Sequence, residues 1–500
     1  MNKEDQNIAD VQFILNEVER FLLMSPKEVF AYLRLNRGDM FAHLDRSGGG
    51  ILFCGRKAYD RFGELADRTI QVGSREAKSF DRRDYVRALR TAFVELFIDE
   101  GNPITQGSVA RLINRAKQRA TDTLVQFVHH IPCALFYDEE PSKFNVGPVT
   151  FTRSDRFLSD FEKSLNDYQQ LLTERFATGL QKQRPALSSD EAMADAGNFA
   201  QRQLADIRDY YCRYNWGASV SIPACHEAVS KLRAERTIDA ALDVLRLFVT
   251  SNPQRYRRGN APNAPFDMHE LTTDALGKVR ATFRREAQGG PAGKGWYEAL
   301  LQRVPWLWAL FEKAIALLPG DEKVDELNQR LLDALNWFGQ AIVEQNAGAK
   351  IVKYAAALER LTVTSHINSG IEALVIKRVR ILNQDREDKA REQIEKDIGD
   401  VYQCRSDLMH GSLSPYDASI TNVLRIASEI TRWSIFSTIQ LFSLLREEGK
   451  ANRKALGVAY DGGRREKPHP ESNQTDPFES RIRASFRYLL SSLQRLRFRK

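Results

Sequence analysis

From Val324 to Leu445 apolar residues recur at steps of three and four with almost no strand-like alternation, so this stretch can bury them only by packing helix on helix. The pattern runs through Val324, Leu327, Leu331, Leu335, Phe338 and Ile342, then Ile351, Tyr354, Leu358 and Leu361, then Ile420, Leu424, Ala427 and the run Trp433 to Leu445. Breaks near 347, 365, 384 and 412–416 cut it into about five helices, the pattern of a compact antiparallel bundle.

The chain has 500 residues, enough for roughly two to four folded units with a core that needs no disulfides. At 42% hydrophobic and 28% charged, its composition excludes a wholly disordered, collagenous or membrane-embedded protein. Residues 1–250 read as one mainly helical region with a small sheet. Ser25-Pro26-Lys27-Glu28 is a helix start, 131–153 suggests two or three short strands, Trp216 to Ile222 another strand, and Thr237 to Phe248 a strong helix. Residues 251–322 are rich in Asn, Pro, Gly and Arg and read as an irregular connection, 323–447 as the bundle, 448–480 as a linker, and 481–500 as a basic amphipathic tail helix. The expected fold class is mainly α, a carboxy-terminal antiparallel helical bundle preceded by a large helical region with a few short strands.

Charge is concentrated at the end of the chain. Of 73 lysines and arginines, seven lie in residues 481–500 (Arg481, Arg483, Arg487, Arg495, Arg497, Arg499 and Lys500), leaving 66 against 66 acidic groups in residues 1–480. A neutral body argues against a protein that coats nucleic acid over its whole surface, while the tail could contact RNA phosphates, a membrane surface or the protein itself. Five widely spaced cysteines without C-x-x-C imply neither a disulfide framework nor a zinc ribbon and fit a reducing, cytoplasmic setting. The start MNKEDQNIAD has no signal-peptide core, and the 13 uncharged residues from Trp433 to Leu445 are too few to span a bilayer, so no transmembrane segment is expected.

Two superficial motifs fail. GGPAGKG has Gln288 where a phosphate loop needs its first glycine and Gly295 where it needs Ser or Thr; His269-Glu270 has Thr273 where a zinc-protease helix needs histidine. His129-His130 reads as a helix end and Asp138-Glu139-Glu140 as a solvated loop.

The informative segment is Glu387 to Gly411, in which Ile394, Ile398, Val401, Arg405 and Leu408 follow one helical stripe. That places Arg405 toward the core, where a guanidinium needs carboxylates or a bound phosphate to offset its desolvation. His410 follows in the last turn, ahead of Gly411, which suits the left-handed residue past a helix end. Helix carboxyl ends favour positive charge, and imidazole exchanges protons near neutral pH, so the pair supplies an anion clamp and an acid or base.

Tyr402-Gln403-Cys404-Arg405-Ser406-Asp407-Leu408-Met409-His410-Gly411, with Tyr354 to Leu361 (YAAALERL) on an earlier helix of the bundle, resembles the HEPN superfamily and within it the ApeA-like branch, whose signature is R-x4-H. The resemblance covers about a quarter of the chain. It implies a ribonuclease that needs no metal or other cofactor and works as a homodimer through residues 323–447, two R-x4-H motifs meeting in one cleft, in a toxin or antiviral defence effector. Carried onto this chain, His410 is the acid or base toward the ribose 2′-hydroxyl or leaving 5′-oxygen, and Arg405 holds the scissile phosphate. Asp407 and Glu359 are candidates to orient Arg405, and Tyr402 to line the cleft and stack on a base. The amino-terminal region would then sense a trigger or target and restrain the nuclease. Two other readings stay open: a HEPN dimer that binds RNA or a nucleotide as a sensor without cutting it, and a scaffold in which Arg405 is only structural.

Overall fold

The computed structural model describes residues 2–35, 42–45, 51–70, 79–137, 140–261, 264, 268–273, 279–284, 289–320, 324–365, 370–382 and 388–462. They form two compact units, one of residues 1–127 with 222–233 and one of residues 128–221 with 234–500. The architecture is mainly helical with a few short strands, in line with the expected class. These units are drawn differently from the sequence division at residue 250, since helical periodicity marks each helix's buried face and not the core that face joins.

The first unit holds α1 (Lys3–Leu22), α2 (Pro26–Leu35), the hairpin of β1 (Ala42–Asp45) and β2 (Ile51–Cys54), α3 (Arg56–Thr69), α4 (Arg82–Phe93), whose end passes into a π-helical turn over Val94–Asp99, and α5 (Gln106–Asp122). Ser25 and Glu28 form the expected start of α2, the Ser25 N–H donating to Glu28 Oε2 at 2.7 Å and the Glu28 N–H to Ser25 Oγ at 3.4 Å. Val11, Ile14 and Val18 of α1 meet Phe62 and Leu65 of α3, Tyr85, Leu89 and Phe93 of α4 and Leu112 of α5 in one core. Asp10, buried on α1, accepts from Arg61 and Arg68 of α3, so its desolvation is offset by two guanidiniums.

The second unit begins within β3 (Val125–Ala134). Its antiparallel strands β4 (Lys143–Val146), β5 (Val149–Arg153), β6 (Trp216–Cys225) and β7 (Arg257–Arg258) give the sheet order β4-β5-β6-β3-β7. Phe144 pairs with Phe151 across β4 and β5, and Trp216 Nε1 donates to the Phe136 carbonyl at 2.7 Å. Helices α6 (Ser154–Asp160), α7 (Glu162–Gln183) and α8 (Ser189–Cys212) separate β5 from β6, and α9 (Glu227–Phe248) follows it. His129 and His130 lie in β3 and not at a helix end. The His130 ring sits beside Phe157 and Phe161 with Nδ1 2.8 Å from Ser219 Oγ, a packing role that a polar-looking dipeptide does not reveal.

The described residues of 251–322 include regular elements that their composition does not suggest. They carry β7, a hairpin of β8 (Met268–Thr273) and β9 (Val279–Arg284) in register Met268 with Arg284, then α10 (Trp296–Arg303) and α11 (Pro305–Ile315). Backbone pairing in a two-stranded hairpin does not need the apolar alternation by which strands are read.

The bundle consists of α12 (Glu326–Val343), α13 (Ala347–Thr362), α14 (Ile371–Leu382), α15 (Asp388–His410) and α16 (Ile420–Glu447), the five helices that the breaks in periodicity predict. Helix α13 packs against each of the other four. Helix α17 (Arg453–Gly462) occupies part of the stretch read as a linker. Only Leu456 and Tyr460, one turn apart, are buried on it among the described residues, too few to register as periodicity, so tertiary packing makes this helix.

Two features of the bundle are open to direct test. A Cβ added at Gly339 on α12 would lie 1.6 Å from Oδ1 of the buried Asp243 on α9. Gly339→Ala should therefore cost about 3 kcal/mol by overpacking, read as an earlier urea midpoint, and an unchanged midpoint would count against this close approach. Between α12 and α13, Glu344 accepts from Lys353 Nζ at 2.6 Å and from the Asn346 and Gln345 N–H groups at 3.1 and 2.8 Å. The Lys353 bond first, and the Asn346 N–H next, lower its carboxyl to about 2. A depressed acid stabilises the fold above its unfolded value near 4.5 and loses that contribution as pH falls toward 2. Stability should drop across this window, and less steeply in Glu344→Gln, in urea unfolding at pH 3 and pH 7.

Candidate functional site

Helix α15 buries Ile394, Ile398, Val401 and Tyr402 and ends where the sequence signals it. Gly411 has φ +77°, and the N–H groups of Ser412 and Leu413 turn back onto the Asp407 carbonyl at 2.9 and 3.1 Å. This closure leaves His410 as the last helical residue, exposed, with no hydrogen-bond or ion-pair partner for its imidazole among the described residues.

Arg405 lies at the margin of the apolar stripe and is not sunk in it; its side chain is 34% exposed, and Leu408 is likewise only half-buried. The long side chain lets aliphatic carbons pack while the guanidinium reaches the surface. Its Nη1 forms an ion pair with Glu359 Oε1 at 3.2 Å, and its Cζ lies 5.8 Å from the centre of the Tyr402 ring. Among the described residues none of its N–H groups makes a hydrogen bond of good geometry, and Nε is buried without an acceptor. A guanidinium so placed keeps donors for a second anion.

Glu359 comes from α13, three residues before that helix ends, and is the acid that meets the motif. It also accepts from the Tyr402 hydroxyl at 3.3 Å, so one carboxylate joins the phenol and the guanidinium. Burial, and then the neighbouring Glu359, push the Tyr402 phenol up, which keeps its proton on the oxygen as a donor.

Two expectations are corrected here. Asp407 does not meet Arg405; its Oδ1 accepts from Gln403 Nε2 at 3.0 Å and Ser412 Oγ at 3.2 Å, securing the turn after the helix. Residues two apart on a helix leave it on opposite sides, so the spacing itself forbids the contact. Tyr402 does not line an open surface, because it is buried with its hydroxyl on Glu359 and has no free face for a base. The tail residues Arg481, Arg483, Arg487, Arg495, Arg497, Arg499 and Lys500 lie outside the described residues.

The sequence reading passed over Met409 and Tyr416. Met409 adjoins His410 and is 66% exposed, and Tyr416, in the turn between α15 and α16, is 86% exposed. An aromatic in the polar stretch Ser412 to Ser419, where no helical stripe asks for one, was the available signal. Among the described residues no group of three or more His, Cys, Asp and Glu is placed to hold a metal ion, and no helix is long and apolar enough to cross a membrane. No family model, curated protein or solved structure matches the chain.

The shared carboxylate predicts unequal costs. Glu359→Ala should destabilise the protein by about 2 kcal/mol, since it strands a partly buried guanidinium and a buried phenol, whereas Asp407→Ala should cost about 0.5 kcal/mol. Urea unfolding that ranks the two substitutions the other way would contradict this arrangement.

Proposed function

We propose that this chain is an endoribonuclease of the HEPN type, cutting RNA by 2′-hydroxyl attack in a site shared by two copies of the bundle of residues 323–447. The observation that carries this reading is Arg405, held at one edge by Glu359 with its other donors unspent, on the helix that ends in an exposed, unengaged His410. In this mechanism one imidazole takes the proton of the 2′-hydroxyl, and the oxygen attacks the adjacent phosphorus. The bond from phosphorus to the 5′-oxygen breaks, a second, protonated imidazole delivers a proton to that oxygen, and a 2′,3′-cyclic phosphate remains. Arg405 stabilises the charge that builds on the phosphate oxygens.

Helix geometry favours two copies. Five residues along an α-helix separate Arg405 from His410 by about 7.5 Å in rise and about 140° in rotation, so one helix does not present both groups on one face. Each chain also offers a single motif histidine, whereas the reaction uses an acid and a base. Met409, which adjoins His410, and Tyr416, in the turn that follows, are exposed and suit contact with a second copy or a base. The remainder of the chain is proposed to sense a trigger and restrain the nuclease, in a cytoplasmic toxin or antiviral effector.

A second reading, a HEPN dimer that binds RNA or a nucleotide without cutting it, draws on one observation. Among the described residues no carboxylate orients the His410 imidazole, as one orients many catalytic histidines. The two readings separate when purified protein, checked as a folded dimer by light scattering, is incubated with total RNA and tRNA in EDTA beside His410→Ala. Cutting by the wild type to 2′,3′-cyclic ends, with the variant slower by about 10²- to 10⁴-fold, is the expected result. Equal cutting by both would remove His410 from the chemistry, and RNA retained intact on the dimer would favour the second reading.

A further inference from the structure

An α-helix ends with four carbonyls that have no partner inside it. At the end of α13 the three consecutive carbonyls of Leu361, Thr362 and Val363 are each met by a side chain from a different helix. Tyr460 Oη of α17 donates to Leu361 at 3.2 Å, Arg378 Nη1 of α14 to Thr362 at 2.5 Å, and Arg330 Nη2 of α12 to Val363. All three donors are buried, the Arg378 guanidinium lies 5.2 Å from the centre of the Tyr460 ring, and Arg378 also donates to Thr364 Oγ1 at 2.9 Å. The negative end of the α13 dipole offsets part of the cost of burying two cations there.

Ordinary helix ends are capped by water or a glycine turn. Burying two guanidiniums and a phenol instead is an expensive way to satisfy three carbonyls, and what it secures is the position of the last turn of α13. Glu359 belongs to that turn, since its carbonyl accepts from the Val363 N–H at 2.8 Å and its carboxylate meets both Arg405 and Tyr402. Helix α17 is itself fixed where it starts. Asn452 Oδ1 accepts from the Ala455 N–H at 3.0 Å, the Arg453 N–H donates to Glu326 Oε2 at 3.1 Å, and a Cβ at Gly457 would lie 3.2 Å from Thr364 Oγ1.

We infer that Tyr460, on a helix outside the bundle's five, is a positioning residue that acts through the end of α13 to set Glu359 and thereby Arg405. The inference deepens the ribonuclease reading and rests on it for its kinetic test, but not for its test by unfolding. Tyr460→Phe keeps the ring beside Arg378 and deletes the hydroxyl, with its bond to the Leu361 carbonyl and its contact with Thr438.

Four full-length proteins decide it: wild type, Tyr460→Phe, Glu359→Gln and the double variant. In RNA cleavage Tyr460→Phe should lower kcat about fivefold, the scale of one lost hydrogen bond, and leave KM within about twofold, because Arg405 matters most where charge develops. In the Glu359→Gln background it should lower kcat no further. An equal loss in both backgrounds, or none in the first, overturns the inference, since a merely structural role does not depend on Glu359. If the wild type cuts no RNA, whether inactive or restrained, the kinetic cycle has no reaction to read, and urea unfolding of the same four proteins tests the positioning role by itself. Non-additive midpoint shifts support positioning, and additive shifts refute it. Should Tyr460→Phe not fold, Thr364→Val loosens the same clamp through Arg378 and takes its place in both cycles.

Discussion

Helix α13 touches each of the other four bundle helices, and the carboxy-terminal half of the molecule depends on that central position. A helix surrounded in this way must be apolar over most of its circumference. Ile351, Tyr354, Ala355, Ala357, Leu358 and Leu361 are buried accordingly, and Thr362 turns its hydroxyl back to the Leu358 carbonyl. Two of its charged groups are answered by neighbouring helices. Glu359 is answered by Arg405 and Tyr402 of α15, and Arg360 by Asp333 of α12. The candidate site is therefore a by-product of how the core is closed, because the helix that fills the bundle also supplies the acid beside the motif.

Much of this was legible in the sequence, and the limits follow from the physics. Long amphipathic helices announce themselves, so the five bundle helices, the glycine closure at Gly411 and the strands around 131–153 and 216–222 all stand close to where periodicity and turn chemistry put them. The paired Arg405 and Glu359 were also among the expected contacts. What did not show were features set by packing or pairing that no local pattern marks. Helix α17 exists because Leu456 and Tyr460 find a surface, the β8–β9 hairpin because two backbones pair, and Tyr402 is removed from solvent by the neighbours of its helix. Asp407 is a different failure, since the two-residue spacing from Arg405 was itself enough to reject the contact.

Half-burial suits Arg405. A fully buried guanidinium would need every donor satisfied within the protein and would have nothing to offer a ligand, whereas a fully exposed one would hold its geometry loosely and be screened by salt. The margin of an apolar stripe, with one carboxylate fixed by a second helix, gives a cation that is oriented but unsaturated. Cys404 next to it is buried, and burial raises its thiol, so this neighbour packs and does not react.

The first unit is assembled from two separated pieces, residues 1–127 and the short return 222–233. The return is bound in place, for the His226 N–H donates to the Ser79 carbonyl at 2.9 Å and its Nε2 lies 2.8 Å from Asp84. During synthesis the ribosome must add the whole intervening stretch before this piece emerges, a wait of roughly 5 to 20 s at ordinary elongation rates. Through that interval the helices of the unit stand without their last contact, while the sheet strands of the second unit are already being made. Order of appearance therefore ties completion of the first unit to synthesis of part of the second.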